Sequence, residues 1–290
     1  MKKILITGAN SYIGTSFERW VSKWSDKYRV DSISVRDNEW KEKSFSEYDI
    51  IFHVAGIAHV DAKPEMEALY YKINRDLTID VAKKAKQDGI KQFIFMSSII
   101  VYGDSSKIGQ RRIITRNTEP SPSNFYGDSK LQAEKGIKSL EDEDFKVVII
   151  RPPMIYGKGS KGNYPKLAKA AQKLPLFPDV CNERSMLHID NLCEFVKLMI
   201  DNEESGFFFP QNLEYVNTSE MVRIIAEVHG KKIKLVKAFN PVLRLMASKF
   251  GLVNKVFGNL VYERLMSDYD EGNYRIRDFK ESIMVTEKIL

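Results

Sequence analysis

The sequence predicts an α/β protein, built as a doubly wound parallel sheet with a smaller C-terminal α/β domain. Two observations predict it. Through roughly the first 150 residues, short β-type runs alternate with amphipathic helical stretches, as strands joined by covering helices require. After Arg151 that alternation loosens into "PPMIYGKGSKGNYP", rich in Gly and Pro, where an annex naturally begins. The 290 residues leave room for both parts. The expected division is residues 1–155, rejoined by about 182–210, for the larger domain, and 156–181 with 211–290 for the smaller.

Taken in order, "KKILITGA" reads as a buried strand, and Ile13, Phe17, Trp20, Val21 and Trp24 mark one face of the helix after it. "ISVRDN" closes a second strand, and "DIIFHVAG" (Asp49 to Gly56) is another. Met66, Ile73, Leu77, Val81 and Ala85 form a helical stripe that ends near Gly89, a suitable residue past a helix C-terminus. "KQFIFMSS" is a further strand, and a helix follows from Ser123. On it Tyr126, Lys130, Ala133, Ile137 and Leu140 share one face. "FKVVIIRP" (Phe145 to Pro152) is the next strand, and helices are expected around Tyr164 to Lys173, Leu187 to Asp201 and Ser219 to His229. The stretch Pro241 to Leu265 is apolar with interleaved cations; it suits a membrane surface or packing within the small domain, and packing is the expectation.

Composition narrows the classes. A net charge of +6 suits a phosphate-bearing substrate or an anionic membrane surface but is too weak and too dispersed to argue for nucleic acid. No apolar run reaches the ~20 residues that span a bilayer, and the N-terminus turns polar too soon for a signal peptide, so a cytoplasmic protein without stable membrane insertion is expected. The two cysteines, Cys181 and Cys193, lack metal-ligand spacing, which leaves packing as their expected role.

Three motifs carry chemistry. In "ILITGANSYIG" a strand runs into Gly8 and a helix begins near Gly14, where backbone N–H groups would receive a dinucleotide pyrophosphate; a tight turn without a ligand is the alternative. Arg36 and Asp37 stand side by side at the tip of the second strand. Arginine there accommodates the 2′-phosphate of NADP, whereas an acid there bonds the ribose of NAD. NADP(H) is favoured because Arg36 directly follows the strand, and NAD(H) remains possible because a one-residue shift reverses the choice. Finally, "FMSSIIVYG" ends a strand in two hydroxyls, with Tyr126 and Lys130 on the helix beyond. A phenol titrates near ~10, so proton transfer at neutral pH calls for a nearby cation; the alternative is a half-buried Tyr beside a snorkelling Lys.

Together these segments resemble the extended short-chain dehydrogenase/reductase family, the NAD-dependent epimerases and dehydratases, and in particular the nucleotide-sugar epimerases and 4-keto-sugar reductases. The likeness covers almost the whole chain. It implies a Rossmann sheet with a substrate-binding annex, and Ser98, Tyr126 and Lys130 as catalytic residues. It implies cofactor contacts from Gly8, Asn10, Ser11, Tyr12, Ile13, Gly14, Arg36, Ala55, Gly56, Asn74, Lys130 and Pro153. "GNY" places Asn163, and "RSMLHIDNL" places Arg184, against a nucleotide diphosphate, while His188 is expected to be structural. No metal is implied, and a homodimer through the Met66 and Ser123 helices is. Ser11 departs from the family's middle glycine, and only "NEWKEKSFSEYD" stands where the usual third strand with its adenine-contacting Asp belongs. Dehydratases carry an Asp-Glu pair after the catalytic hydroxyl; Ile99 and Ile100 here argue against elimination of water. The narrowest resemblance is to bacterial capsule and O-antigen enzymes that reduce a UDP-4-keto-6-deoxy-hexosamine with NADPH. A UDP-sugar 4-epimerase holding NAD is the alternative, and a non-catalytic dinucleotide sensor a lesser one.

Overall fold

The computed structural model describes residues 1–58, 64–249 and 251–288, so Phe250, inside the apolar stretch singled out above, lies outside the described residues. By packing the chain divides into two compact units: 1–103 with 119–152 and 192–210, and 104–118 with 153–191 and 211–290. Residues 104–118, 153–155 and 182–191, which the sequence suggested for the first domain, pack instead with the second, because their short strands pair there.

The first unit is a six-stranded sheet, parallel at every pairing. Edge to edge its order is Gly206–Phe208, Lys146–Ile150, Gln92–Met96, Ile50–His53, Lys2–Thr7 and Tyr28–Ile33. The β-branched and aromatic runs form strands because both faces are covered: Ile4, Ile6, Phe93, Ile94, Phe95 and Val147 through Ile150 are all essentially inaccessible. The winding reverses between Lys2–Thr7 and Ile50–His53, whose ends Thr7 and His53 lie in register, and ligands of such sheets bind at this reversal beyond the carboxyl ends. Among the described residues, no strand follows Tyr28–Ile33 on its outer side. The intervening segment makes a single turn, Glu39–Glu42, and anchors it by burying Trp40, stacked on Phe45 with centroids 6.4 Å apart.

One register expectation fails instructively. The helix before Gly89 buries Tyr70, Asn74, Thr78, Val81 and Ala85, whereas Met66, Ile73 and Leu77 are only half-buried. A six-residue π-turn, Tyr71–Asp76, inserts a residue and rotates the buried face by about one position. The polar Asn74 and Thr78 thereby replace two apolar residues on the inner side.

In the second unit, helices Asn163–Lys173, Thr218–Val228 and Phe279–Glu287 pack around Tyr156, Tyr164, Phe177, Val216 and Ile225. Three short parallel pairs complete it: Met154–Tyr156 with Met186–His188, Leu176–Pro178 with Lys234–Val236, and Ile113–Ile114 with Val261–Tyr262. The stretch from Pro241 forms the helices Asn240–Lys249 and Gly251–Phe257. Packing holds for Ala247 and Phe257 but not for Val242, Leu245 and Met246, which are exposed.

Candidate active site

Strand Gln92–Met96 ends two residues before Ser98, whose backbone stays extended so that its hydroxyl accepts from the Ile100 N–H at 3.3 Å. Asn124 caps the next helix, Phe125–Lys138, by accepting from the Gly127 N–H at 3.0 Å. Gly127 lets that helix close on the loop after Ser98; a Cβ there would stand 2.7 Å from the Ile100 carbonyl. This approach sets Tyr126 where it takes a hydrogen bond from the Ser98 hydroxyl.

Around the Tyr126 oxygen, burial dominates. It pushes the phenol up to about 12, the Ser98 hydrogen bond pulls it back, and Tyr70, edge-on at 5.9 Å, adds to the rise. The Lys130 ammonium, buried one turn further along the helix, donates to the Met96 carbonyl at 2.9 Å and lies 4.6 Å from the centre of the Phe95 ring. Burial depresses Lys130 to about 8, with Glu134 opposing. On the sequence reading, Lys130 and a nicotinamide together supply the positive charge that favours the phenolate; within the chain, desolvation raises the phenol.

The dinucleotide loop has the backbone such a ligand needs. Gly8 sits at φ 120°, and a Cβ there would meet the Ala55 nitrogen at 2.8 Å, so glycine is required. Asn10 takes φ 63°, which asparagine tolerates. Ser11, by contrast, has φ −72° and needs no glycine; its hydroxyl caps the Tyr12–Val21 helix, accepting from the Gly14 N–H at 3.1 Å. Tyr12, Ile13 and Gly14 are the first residues of that helix. Gly14 packs so closely that a Cβ would stand 3.0 Å from Ile6.

Asn74 is wholly buried and grips the loop at the end of Ile50–His53. It accepts from the Ile57 N–H at 2.8 Å and donates to the Ile57 carbonyl and the Ser129 hydroxyl. Ala55 and Gly56 are thereby fixed, and a Cβ on Gly56 would come within 3.2 Å of the Lys130 ammonium. Among the described residues that ammonium makes one hydrogen bond and no ion pair, leaving N–H donors for ribose hydroxyls. These residues fit a nicotinamide dinucleotide.

Arg36 is exposed and makes no ion pair among the described residues, while the Asp37 carboxylate is engaged by the Glu39 N–H at 3.0 Å. The strand ends at Ile33, so Ser34 and Val35 intervene before Arg36 rather than Arg36 following it directly.

Sequence reasoning missed a buried network behind the Phe125–Lys138 helix. Glu134, one turn past Lys130, receives two-pronged hydrogen bonds from Arg151 (2.6–3.2 Å) and a further one from Ser97; Arg151 also donates to Tyr102 at 2.7 Å. Its signal was available in the i, i+4, i+8 spacing of Tyr126, Lys130 and Glu134. His53 was missed as well. It bonds Thr7 and Thr78, and burial together with Lys130 lowers it to about 3, so it stays neutral.

The remaining predicted residues belong to the second unit. Pro153 is buried, and Asn163 opens its helix behind Gly162. Arg184 donates to the Ser105 hydroxyl and the Gly258 carbonyl, each at 3.1 Å, with no carboxylate in ion-pair range among the described residues; desolvation lowers it to about 10. His188 is buried, bonded to Thr286 and the Asp190 N–H, and held down to about 4 by burial. A cavity of about 730 Å³ is lined by Asp179, Asn182, Glu183, Asn217, Lys237 and Arg244, among others. Cys181 also lines it and is exposed, contrary to the packing role expected; Cys193 is buried.

A dinucleotide loop and a Ser, Tyr and Lys set on one parallel sheet define a Rossmann-type oxidoreductase class. Residues 4–208 match the NAD dependent epimerase/dehydratase family, and the chain belongs to it. It is an NAD(P)-dependent nucleotide-sugar enzyme of the short-chain dehydrogenase/reductase type. A UDP-glucose 4-epimerase of Vibrio cholerae is 32% identical over 78% of this chain and 75% of its own. An N-acetyl-α-D-glucosaminyl-diphospho-undecaprenol 4-epimerase of Escherichia coli O157:H7 is 27% identical over 88% of this chain and 81% of its own. Among solved structures, a dTDP-4-dehydrorhamnose reductase of Clostridium acetobutylicum superposes with TM-score 0.74 at 21% identity, covering 98% of both chains. A UDP-glucuronic acid 4-epimerase of Bacillus cereus in complex with NAD also reaches 0.74, at 16% identity over 98% and 97%. At these identities the structural likeness establishes the fold. Among the described residues, no helix is long and apolar enough to cross a membrane.

Proposed function

We propose that the chain reduces the C4 ketone of a UDP-linked 4-keto-6-deoxy-hexosamine with NADPH, in the cytoplasm and in the service of capsule or O-antigen synthesis. The observation that carries the reading is the setting of Tyr126: burial raises its phenol, favouring the proton-donor form, with the Ser98 hydroxyl bonded to it and Lys130 one turn further along the same helix. A reductase needs a protonated donor, whereas an epimerase must begin with a phenolate that removes a proton.

The bound cofactor supplies hydride to C4. Tyr126 gives its proton to the forming C4 alkoxide, Ser98 orients that oxygen, and Lys130 holds ribose hydroxyls through its unpaired N–H donors. Gly8 through Gly14 would hold the pyrophosphate, Asn74 fixes Ala55 and Gly56 beside it, and Pro153 flanks the nicotinamide. Arg36, exposed without an ion pair while Asp37 is engaged, favours the 2′-phosphate of NADP(H). Arg184, half-buried and without a carboxylate in ion-pair range among the described residues, has the unspent charge that a diphosphate would satisfy, and Asn163 adds an amide to it. Isoleucines at 99 and 100 supply no acid or base for dehydration. A homodimer is part of the proposal.

A second reading, 4-epimerisation with retained NAD, is favoured by the two epimerase relatives. One of these acts on a polyprenol-linked sugar, so lipid-linked sugars belong in the assay. The test follows nicotinamide absorbance in the near ultraviolet. Stoichiometric NADPH consumption with a 4-keto sugar supports reduction; purification with bound nicotinamide and interconversion of C4 epimers without net consumption would replace it.

A further inference from the structure

The helix Asn240–Lys249 presents an outer face of exposed apolar side chains among the described residues. Val242, Leu245 and Met246 are 59%, 66% and 42% exposed, and Phe239, just before the helix, is 40% exposed. At 100° per residue these four side chains fall within an arc of about 120°. The opposite side packs inward through Ala247, while Leu243 and Arg244 line the 730 Å³ cavity.

Charge around this arc is one-sided. From Val228 to Tyr262 there is no Asp or Glu, while Lys231, Lys232, Lys234, Lys237, Arg244, Lys249 and Lys255 fall within it. These seven cations exceed the +6 net charge of the whole chain, so the remainder is close to neutral. Lys249's side chain is not described; the other six are exposed and form no ion pair among the described residues.

We propose that this face docks reversibly on an anionic lipid bilayer, with Phe239, Val242, Leu245 and Met246 entering the headgroup boundary and the surrounding lysines meeting lipid phosphates. An apolar arc within a wholly cationic segment is the composition that lies in a membrane interface. A second copy of this chain is the poorer occupant, because it would set seven cations against seven, and lysine is depleted at protein interfaces. Nucleic acid would satisfy the cations but leave the apolar arc in water. The proposal is independent of which sugar is used or which way hydride moves.

The test is co-sedimentation of the full chain with vesicles of phosphatidylglycerol and phosphatidylcholine, and with vesicles of phosphatidylcholine alone. Partition into the anionic vesicles should be at least about tenfold stronger and should fall as salt is raised. Val242→Glu with Leu245→Glu should abolish it while leaving the melting temperature and turnover of a soluble nucleotide sugar unchanged. If the double variant melts early, Leu245→Ser alone gives the same comparison. Failure of the unmodified chain to sediment, or equal binding by a well-folded variant, overturns the proposal. So does concentration-dependent dimerisation that the same substitutions abolish without any vesicle binding, which would assign the face to a second copy.

Discussion

Replacing Glu134 by Ala would strand a buried guanidinium. Arg151, with 8% of its side chain exposed, gives Glu134 (1% exposed) hydrogen bonds of 2.6, 3.0 and 3.2 Å. Tyr102 and the rings of Phe207 and Phe209 surround it, and no second carboxylate is within ion-pair range among the described residues. Breaking a buried pair from one side costs about 3–5 kcal/mol, because the surviving charge keeps its desolvation without its partner. In a protein of this size each kcal/mol lowers the midpoint by roughly 2–4 °C, so a fall on the order of 10 °C is expected. Scanning fluorimetry on the E134A variant measures it. Glu134→Met combined with Arg151→Met removes both charges and should recover most of the loss, since a buried ion pair and an apolar pair of similar volume differ little. A single variant melting within a degree or two of the parent, or a double variant as unstable as the sum of the singles, would refute the account.

Four further outcomes are expected. Tyr126→Phe should lower turnover by about 10²–10⁴-fold, the usual worth of a positioned proton donor, while NADPH titration shows unchanged affinity. Burial sets Lys130 at about 8 against its ordinary 10.5, so between those values the unfolded chain binds more protons and stability rises with pH. The K130M variant should lack that rise in a melting series, and near pH 7, where the buried charge is fully present, it should melt above the parent. Arg184→Ala should raise KM for the nucleotide sugar by about tenfold or more, as loss of a charged hydrogen bond implies, without altering NADPH binding. Ser11→Gly should lower stability by only a few tenths of a kcal/mol, because Ser11 is an N-cap at ordinary φ, and an increase of a full kcal/mol by denaturant titration would contradict its role.

Much of the architecture was legible because the chain's local signals agree with one another. Apolar runs of strand length, spaced by amphipathic stretches, admit few packings other than a parallel sheet, and Gly8, whose conformation excludes a side chain, marks the turn. The missing strand after Tyr28–Ile33 was visible as a shortage of residues. The Ser98, Tyr126 and Lys130 set was legible by spacing and by resemblance. Less visible was the π-turn at Tyr71–Asp76, since a single inserted residue leaves apolar periodicity nearly intact while turning Asn74 inward. The spacing of Tyr126, Lys130 and Glu134 put Glu134 on the inner face, but its partner was hidden, because two charges 17 residues apart carry no sign that a fold will bury them together.

By itself, then, the sequence determined the sheet, the loop shaped for a dinucleotide and the residue types able to transfer a proton, all of which depend on neighbours a few residues away. Tertiary structure alone decided that burial raises Tyr126 and weakens Lys130, that among the described residues Arg184 meets no carboxylate, and that one helix leaves apolar side chains outward. The reason is physical: solvation and charge depend on what distant segments bring within a few ångströms, and linear order does not encode that distance.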